Sequence, residues 1–293
     1  MIELAADGLP KILPAYDDGV FKSLLLRPES KISLADIISS FIDITITSVT
    51  VRENELPIKD INAKHEIFDI NCIATDDKSQ FGVEMQAAPM KLDSAKNEHA
   101  NIRHRSVYCL TDLHANQSGR GVNYAGFAKS YQITICNYNP FKEPHELLEK
   151  FMLRNEKGIL LADAITSIIV DLSLTKKIVK KPVAEMTAAE MWAVFIANAN
   201  EPEYYDLINE IIKKREGISM AQEMLATISQ DEHERARFRS RRIWELDRAH
   251  EIYSAKEEGR NDVVLAMLND GVDISFIAKY AKLPENEIEK LRQ

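Results

Sequence analysis

Cysteine is scarce in this chain: three among 293 residues, Cys72, Cys109 and Cys136, an odd number with no C-x-x-C spacing. That argues against a disulfide framework and against a cysteine zinc site. Each thiol sits in an apolar run, so three buried free cysteines in a reducing compartment are expected. Long apolar runs are missing too. None approaches the roughly 20 residues of a membrane span, and the opening "MIELAADGLPKILPAYDD" has no charged region leading into an apolar one. The expectation is a cytoplasmic protein with no membrane partner. Positive charge is in deficit, 37 Lys and Arg against 46 Asp and Glu, for a formal net charge of -9. This counts against broad, nonspecific affinity for nucleic acid, because the phosphate backbone rewards positive charge. A local basic cleft stays possible. There is no Gly-rich phosphate loop, no internal repeat and no low-complexity tract, and His99 and His104 are five apart, off a shared helix face. What remains is a chain with 45% hydrophobic and 28% charged residues, able to bury a core without staples.

The patterning changes near residue 142. Before it, residues 17–26 and 32–42 read as amphipathic helices, 45–54 as a β-branched strand, 64–74 and 80–88 as two more strands, 91–116 as a long helix and 130–138 as a last strand. That order predicts an α/β unit with a mixed sheet flanked by helices over residues 1–142. After it, residues 143–293 read as an all-helical region with breaks near Gly158, Pro182, Pro202 and Gly217. Within it, residues 228–260 form one long charged helix. Short helices punctuated by Gly271 and Pro284 end the chain in a helix-turn-helix-like segment.

The stretch "FDINCIATDDKSQFGVEMQ" (68–86) carries the chemistry. Read as a hairpin with Asp76 and Asp77 at the tip, its facing residues have numbers summing to 153, which sets Asp69 opposite Glu84 and Asn71 opposite Gly82. Strand alternation then puts Phe68, Ile70, Cys72, Phe81, Val83 and Met85 on one face and Asp69, Asn71, Glu84 and Gln86 on the other. Two carboxylates directly opposite repel, and a hard divalent cation between them removes that cost. A solvent-facing polar hairpin surface would read the same way.

The spacing of Asp69 and Glu84-Met85-Gln86 resembles the core of the PD-(D/E)xK nuclease fold. More narrowly, the chain resembles the bacterial family of recombination-promoting nucleases (Rpn) and transposases. "DGVFKSLL" is similar to its opening D-x-x-F-K helix, "KHEIFDI" to its Lys-to-Asp strand, "GVEMQ" to its E-M-Q strand and "RSVYCL" to its R-x-x-Y helix. "NQSGRGVNYAGFAKSYQITICNY" is similar to its last connection and strand. The resemblance covers about residues 15 to 140. It implies a restriction-endonuclease-like core and Mg²⁺-dependent DNA endonuclease activity (Mn²⁺ as possible substitute), linked to recombination or transposition. It implies Asp69 and Glu84 as metal ligands, Gln86 in the place of the superfamily's Lys, and Asp18 as an added carboxylate. It also implies Lys22, Lys64, Arg105 and Tyr108 as DNA contacts. Gln86 can orient water but carries no positive charge.

Plainer roles stand beside these. Asp17 and Asp18 precede a helix, where capping is common. Lys22 fits a solvated helix lysine, and Arg105 could pair with Asp112. "RARFRSRR" spreads its arginines around a helix among acidic neighbours. The last helix carries Glu285, Glu287 and Glu289, which suits packing or homo-oligomerisation better than reading DNA. The alternative function is a weak or inactive nuclease fold that acts as a DNA- or protein-binding module.

Overall fold

The computed structural model describes residues 4–52, 69–87, 98–118 and 123–291. The chain opens with α1 (Asp18–Leu25) and α2 (Lys31–Ile42), followed by β1 (Val49–Val51), β2 (Ile70–Ala74) and β3 (Gln80–Gln86). Helix α3 (Glu98–Ala115) leads to β4 (Ser130–Cys136), β5 (Leu148–Met152) and β6 (Ile165–Asp171). Then come α4 (Thr175–Ile178), α5 (Ala188–Asn198), α6 (Tyr205–Ile212), α7 (Glu216–Gln230), α8 (Glu232–Asn269), α9 (Ile274–Ala281) and α10 (Glu285–Leu291). Of the described residues, those up to Arg239 form one compact unit, and those from Ser240 onward belong to a second.

In the first unit the six strands make one mixed sheet in the order β1-β2-β3-β4-β6-β5. β2 and β3 form the expected hairpin, with Ile70 facing Val83, Asn71 facing Gly82 and Cys72 facing Phe81. The turn is longer than two residues. The Ala74 N–H donates to the Ser79 carbonyl at 2.9 Å, and Lys78 takes a left-handed backbone with φ of 64°. The register survives because the extra loop residues are added in pairs, one from each strand end.

The alternation holds on both faces, and both are buried. Ile70, Cys72, Phe81, Val83 and Met85 join Ile133, Ile135, Ile168 and Val170 in the main core, against Phe21, Leu24, Ile37, Ile38, Trp192 and Phe195 of α1, α2 and α5. The other face lies under α3, the crossover helix that the parallel β3–β4 pair requires. Its strand residues include the buried polar Glu84, Gln132, Thr134 and Ser167, with Cys136 and Ile169 packed against Ile102 of α3. Ser106 of α3 bonds Ser167 at 2.8 Å and Thr134 at 3.3 Å. The solvent-facing reading of this hairpin surface is therefore corrected.

The expectation that only helices follow residue 142 is also corrected, since β5 and β6 both lie beyond it. β6 sits between β4, to which it runs parallel, and β5. Six of its seven residues are buried. Unlike β2 and β3, β6 does not alternate cleanly: in "ITSIIVD" Thr166 and Ser167 adjoin the unbroken run Ile168, Ile169 and Val170, and so short an apolar run carries no period that separates it from helix. Gly158, expected as a helix break, turns the β5–β6 connection with φ of 80°.

Helices on the core side pack closely. A Cβ built on Gly217 would lie 2.5 Å from Asp36 Cβ, so α7 can approach α2 only with glycine there. Asp36 accepts from Trp192 Nε1 at 2.8 Å and pairs with Arg215, which ties α2, α5 and the start of α7 together. In the second unit the far part of α8 packs with α9 and α10 around Val264, Ile277 and Ile288. Asp273 caps α9 through the Ser275 and Phe276 N–H groups.

Candidate active site

The hairpin register, carried one residue past Ile70–Val83, sets Asp69 against Glu84. Asp69 stands just before β2 and is 6% exposed, and Glu84 is fully buried within β3. One Asp69 oxygen accepts from the Met85 N–H at 2.8 Å. The other lies 2.9 Å from Lys22 Nζ. Glu84 Oε1 accepts from Arg105 at 2.8 Å, and Cys109 Sγ lies 4.0 Å away. Each carboxylate thus has its own cation, one from α1 and one from α3. Arg105 also interacts electrostatically with Asp69, so the two pairs form one cluster.

Local structure explains the placement. Asp17 caps α1, accepting from the Gly19 and Val20 N–H groups at 3.1 Å each, as the capping reading expects. That leaves Asp18 in the first turn, where its carboxylate meets Lys22 one turn on at 3.2 Å. Phe21 is buried beside them and anchors α1 on the sheet. Lys22 therefore bridges Asp18 and Asp69. On α3, Arg105 and Cys109 are four residues apart and share the face toward β3.

The electrostatics follow from this crowding. Burial and the Asp18 charge push the Asp69 carboxyl up to about 7, against the pull of Lys22 and the Met85 N–H. Partial burial penalises the Lys22 ammonium, but Asp69 and Asp18 outweigh it and raise its pKa.

Gln86 is half-buried two residues beyond Glu84, and its carbonyl accepts from the Asn137 N–H at 3.1 Å. Tyr108 is exposed on α3, where Arg105 and Cys109 of the same helix approach Glu84. Asp112, the other partner considered for Arg105, instead accepts from Asn116 at 3.1 Å. Lys64 and Phe68 lie outside the described residues. Cys109 escaped the sequence reading, although its spacing from Arg105 offered a signal. The sequence suggests Lys22 as a solvated helix lysine or a DNA contact and carries no signal for its pairing with Asp69. The three cysteines are free and buried, as expected.

A cation's fit can be judged from these donors. Among the described residues no three His, Cys, Asp or Glu side chains gather as a cage. Two carboxylates on paired strands still suit a hard ion that keeps water and substrate oxygens in its shell. The same set lacks the nitrogen and sulfur ligands zinc prefers. Elsewhere, a cavity of about 450 Å³ opens between α2, β5 and α5, lined by Ser39, Asp43, Lys150, Thr187 and Arg215. It is on the sheet face opposite α3. No helix of the described residues is long and apolar enough to cross a membrane.

No curated protein and no solved structure matches the chain. A family model described as PD-(D/E)XK nuclease family transposase matches residues 15–255. That span takes in α1, the hairpin and α3, and also β5 and β6 beyond residue 142. With this match, the mixed sheet and the paired strand carboxylates, the chain belongs to the PD-(D/E)XK nuclease family transposases.

Proposed function

We propose that this nuclease-family chain is a DNA endonuclease that hydrolyses phosphodiester bonds with Mg²⁺, or Mn²⁺ in its place, during recombination or transposition. The observation that carries the reading is the meeting of Asp69 and Glu84 across one hairpin, two buried carboxylates between a lysine and an arginine. PD-(D/E)XK nucleases generally use divalent metals. A divalent cation at Asp69 and Glu84 supplies charge neutralisation at the phosphate and an activated water.

The chain's own residues would do the rest. The Met85 N–H fixes the Asp69 carboxylate, and Arg105 fixes Glu84. The Gln86 amide can both donate to and accept from a water. Asp18 adds negative charge beside Asp69 through Lys22. Lys22, Lys64, Arg105 and Tyr108 are the proposed DNA contacts, and local positive charge offsets the acidic whole. The setting is the cytoplasm.

The test is cleavage of supercoiled plasmid with Mg²⁺ or Mn²⁺ by wild type and by the Asp69→Ala/Glu84→Ala double variant. Nicking by wild type alone is the expected outcome. Equal nicking by both proteins would move the activity to another site or to a contaminant. A second reading draws on one observation: both carboxylates are already ion-paired, as in a degenerate site kept for its packing. On that reading DNA binding persists without metal and survives Glu84→Ala, and no metal or substrate elicits cleavage.

A further inference from the structure

We propose that Lys22 is a placeholder for the metal: it neutralises Asp69 in the metal-free protein, gives that carboxylate up when a divalent cation binds, and turns its ammonium onto the scissile phosphate. The inference rests on the two-carboxylate reading above and goes beyond it. It gives Lys22 the positive charge that Gln86 cannot carry, and it makes metal entry an exchange of cations.

The geometry supports this. Lys22 Nζ lies 2.9 Å from Asp69 Oδ1 and 3.2 Å from Asp18 Oδ1. An ammonium at that distance occupies the oxygen a divalent ion needs. Charge counting agrees. With all three carboxylates ionised, as in the metal-binding form, Asp18, Asp69 and Glu84 face Lys22 and Arg105, three formal negative charges against two positive. The metal-free cluster is thus one charge short of neutral. A divalent cation brings it to one positive charge, the complement of a single phosphodiester. Without Lys22 the loaded cluster would be neutral and would gain little from the phosphate.

The side chain is built for such a move. Lys22 keeps about a third of its side-chain surface exposed, whereas Asp69 keeps 8%. A lysine is a point charge on a flexible four-carbon stem, able to swing while its backbone stays in α1. Phe21 is fully buried next to it, so the helix itself is pinned. Asp18, one turn back, offers Lys22 a second anchor after it leaves Asp69.

Two measurements on the full chain test the proposal. The first is Mn²⁺ affinity, from the paramagnetic resonance of free Mn²⁺, for wild type, Lys22→Met, Lys22→Arg and the Asp69→Ala/Glu84→Ala control. Removing the competing charge should tighten Mn²⁺ binding roughly tenfold in Lys22→Met, with plasmid cleavage slower than wild type. Lys22→Arg should stay near wild type in affinity. The second needs no variant: amine acylation of wild-type Lys22, read by peptide mass spectrometry, should rise several-fold when Mn²⁺ is added.

The failures are distinguishable. Mn²⁺ binding that is absent, or unchanged in the double carboxylate variant, overturns the metal reading and this inference with it. Binding lost in that variant but equal or weaker in Lys22→Met, with Lys22 acylation unmoved by Mn²⁺, overturns the exchange alone.

Discussion

Glu84 is a carboxylate that water does not reach, and Arg105 is the cation that makes this tolerable. Glu84 is fully buried, while Arg105 leaves nearly half its side chain in solvent. Breaking such a pair from the arginine side strands a buried charge. Arg105→Ala should therefore cost about 3–5 kcal/mol of stability, read from urea unfolding. Adding Glu84→Gln to that background should recover most of the loss, because the stranded charge is then gone. A loss below about 1 kcal/mol would mean that Glu84 has another adequate partner. At this scale the sequence was partly legible. The alternation from Asp69 to Gln86 showed which side chains share a face, since a period of two needs no tertiary information. It could not show which cations would answer them. Lys22 and Arg105 come from helices on opposite faces of the sheet, and only the closed fold brings them to one hairpin.

The elements were legible where their period was visible. α1, α2 and β3 fall within a few residues of the expected places, because each has a polar side; of the strand expected over 64–74, residues 70–74 form β2 and 64–68 lie outside the described residues. β6 lacks a clean alternation, because Ile168, Ile169 and Val170 run unbroken through it, and such a run is as compatible with helix as with strand. The long charged helix is also displaced: α7 ends at Gln230, and α8 begins at Glu232 instead of continuing from 228. Asp231 makes the break, since its side chain accepts from the Glu234 N–H at 2.8 Å and starts a new helix. The end of β6 supports a pH prediction. Asp171 accepts from His145 Nε2 at 2.8 Å, which ties the loop after β4 to the sheet. Burial disfavours the charged ring, but the Glu143 carbonyl and the Asp171 carboxylate outweigh it and raise the His145 pKa above 6.5. A raised pKa means the folded protein holds a proton that the unfolded chain has released. The stabilisation is complete below about pH 6.5 and is lost as pH rises through the folded value. From about pH 6 to about pH 8.5, wild type should therefore lose more of its melting temperature than His145→Gln. Parallel curves would show that the pair carries no proton-linked stability.

As a whole molecule the chain has one unit with a sheet and a second whose described residues form helices without strands. The helical end of the chain was legible through Gly271, Pro284 and the apolar spacing around them. The second unit's stretch of α8 exposes Ile243, Trp244, Leu246 and Tyr253, each more than 45% open to solvent. Ile243, Leu246 and Tyr253 share one helix face. We propose that a second copy of the chain covers this face, giving the homo-oligomer expected of the C-terminal region. Sedimentation velocity should find wild type larger than a monomer and Leu246→Glu/Tyr253→Glu monomeric. Monomeric wild type at tens of micromolar would reject this.

The hairpin register has a consequence for quality control. The alternation that turns Cys72, Phe81 and Val83 into the core is the same one that sets Glu84 beneath α3. A slip of one residue would expel the apolar set and scatter the acidic one together. No misregistered copy could keep its chemistry while losing its packing. On the proposed function, the defect that would leave such a molecule sticky also parts the carboxylates on which its chemistry depends.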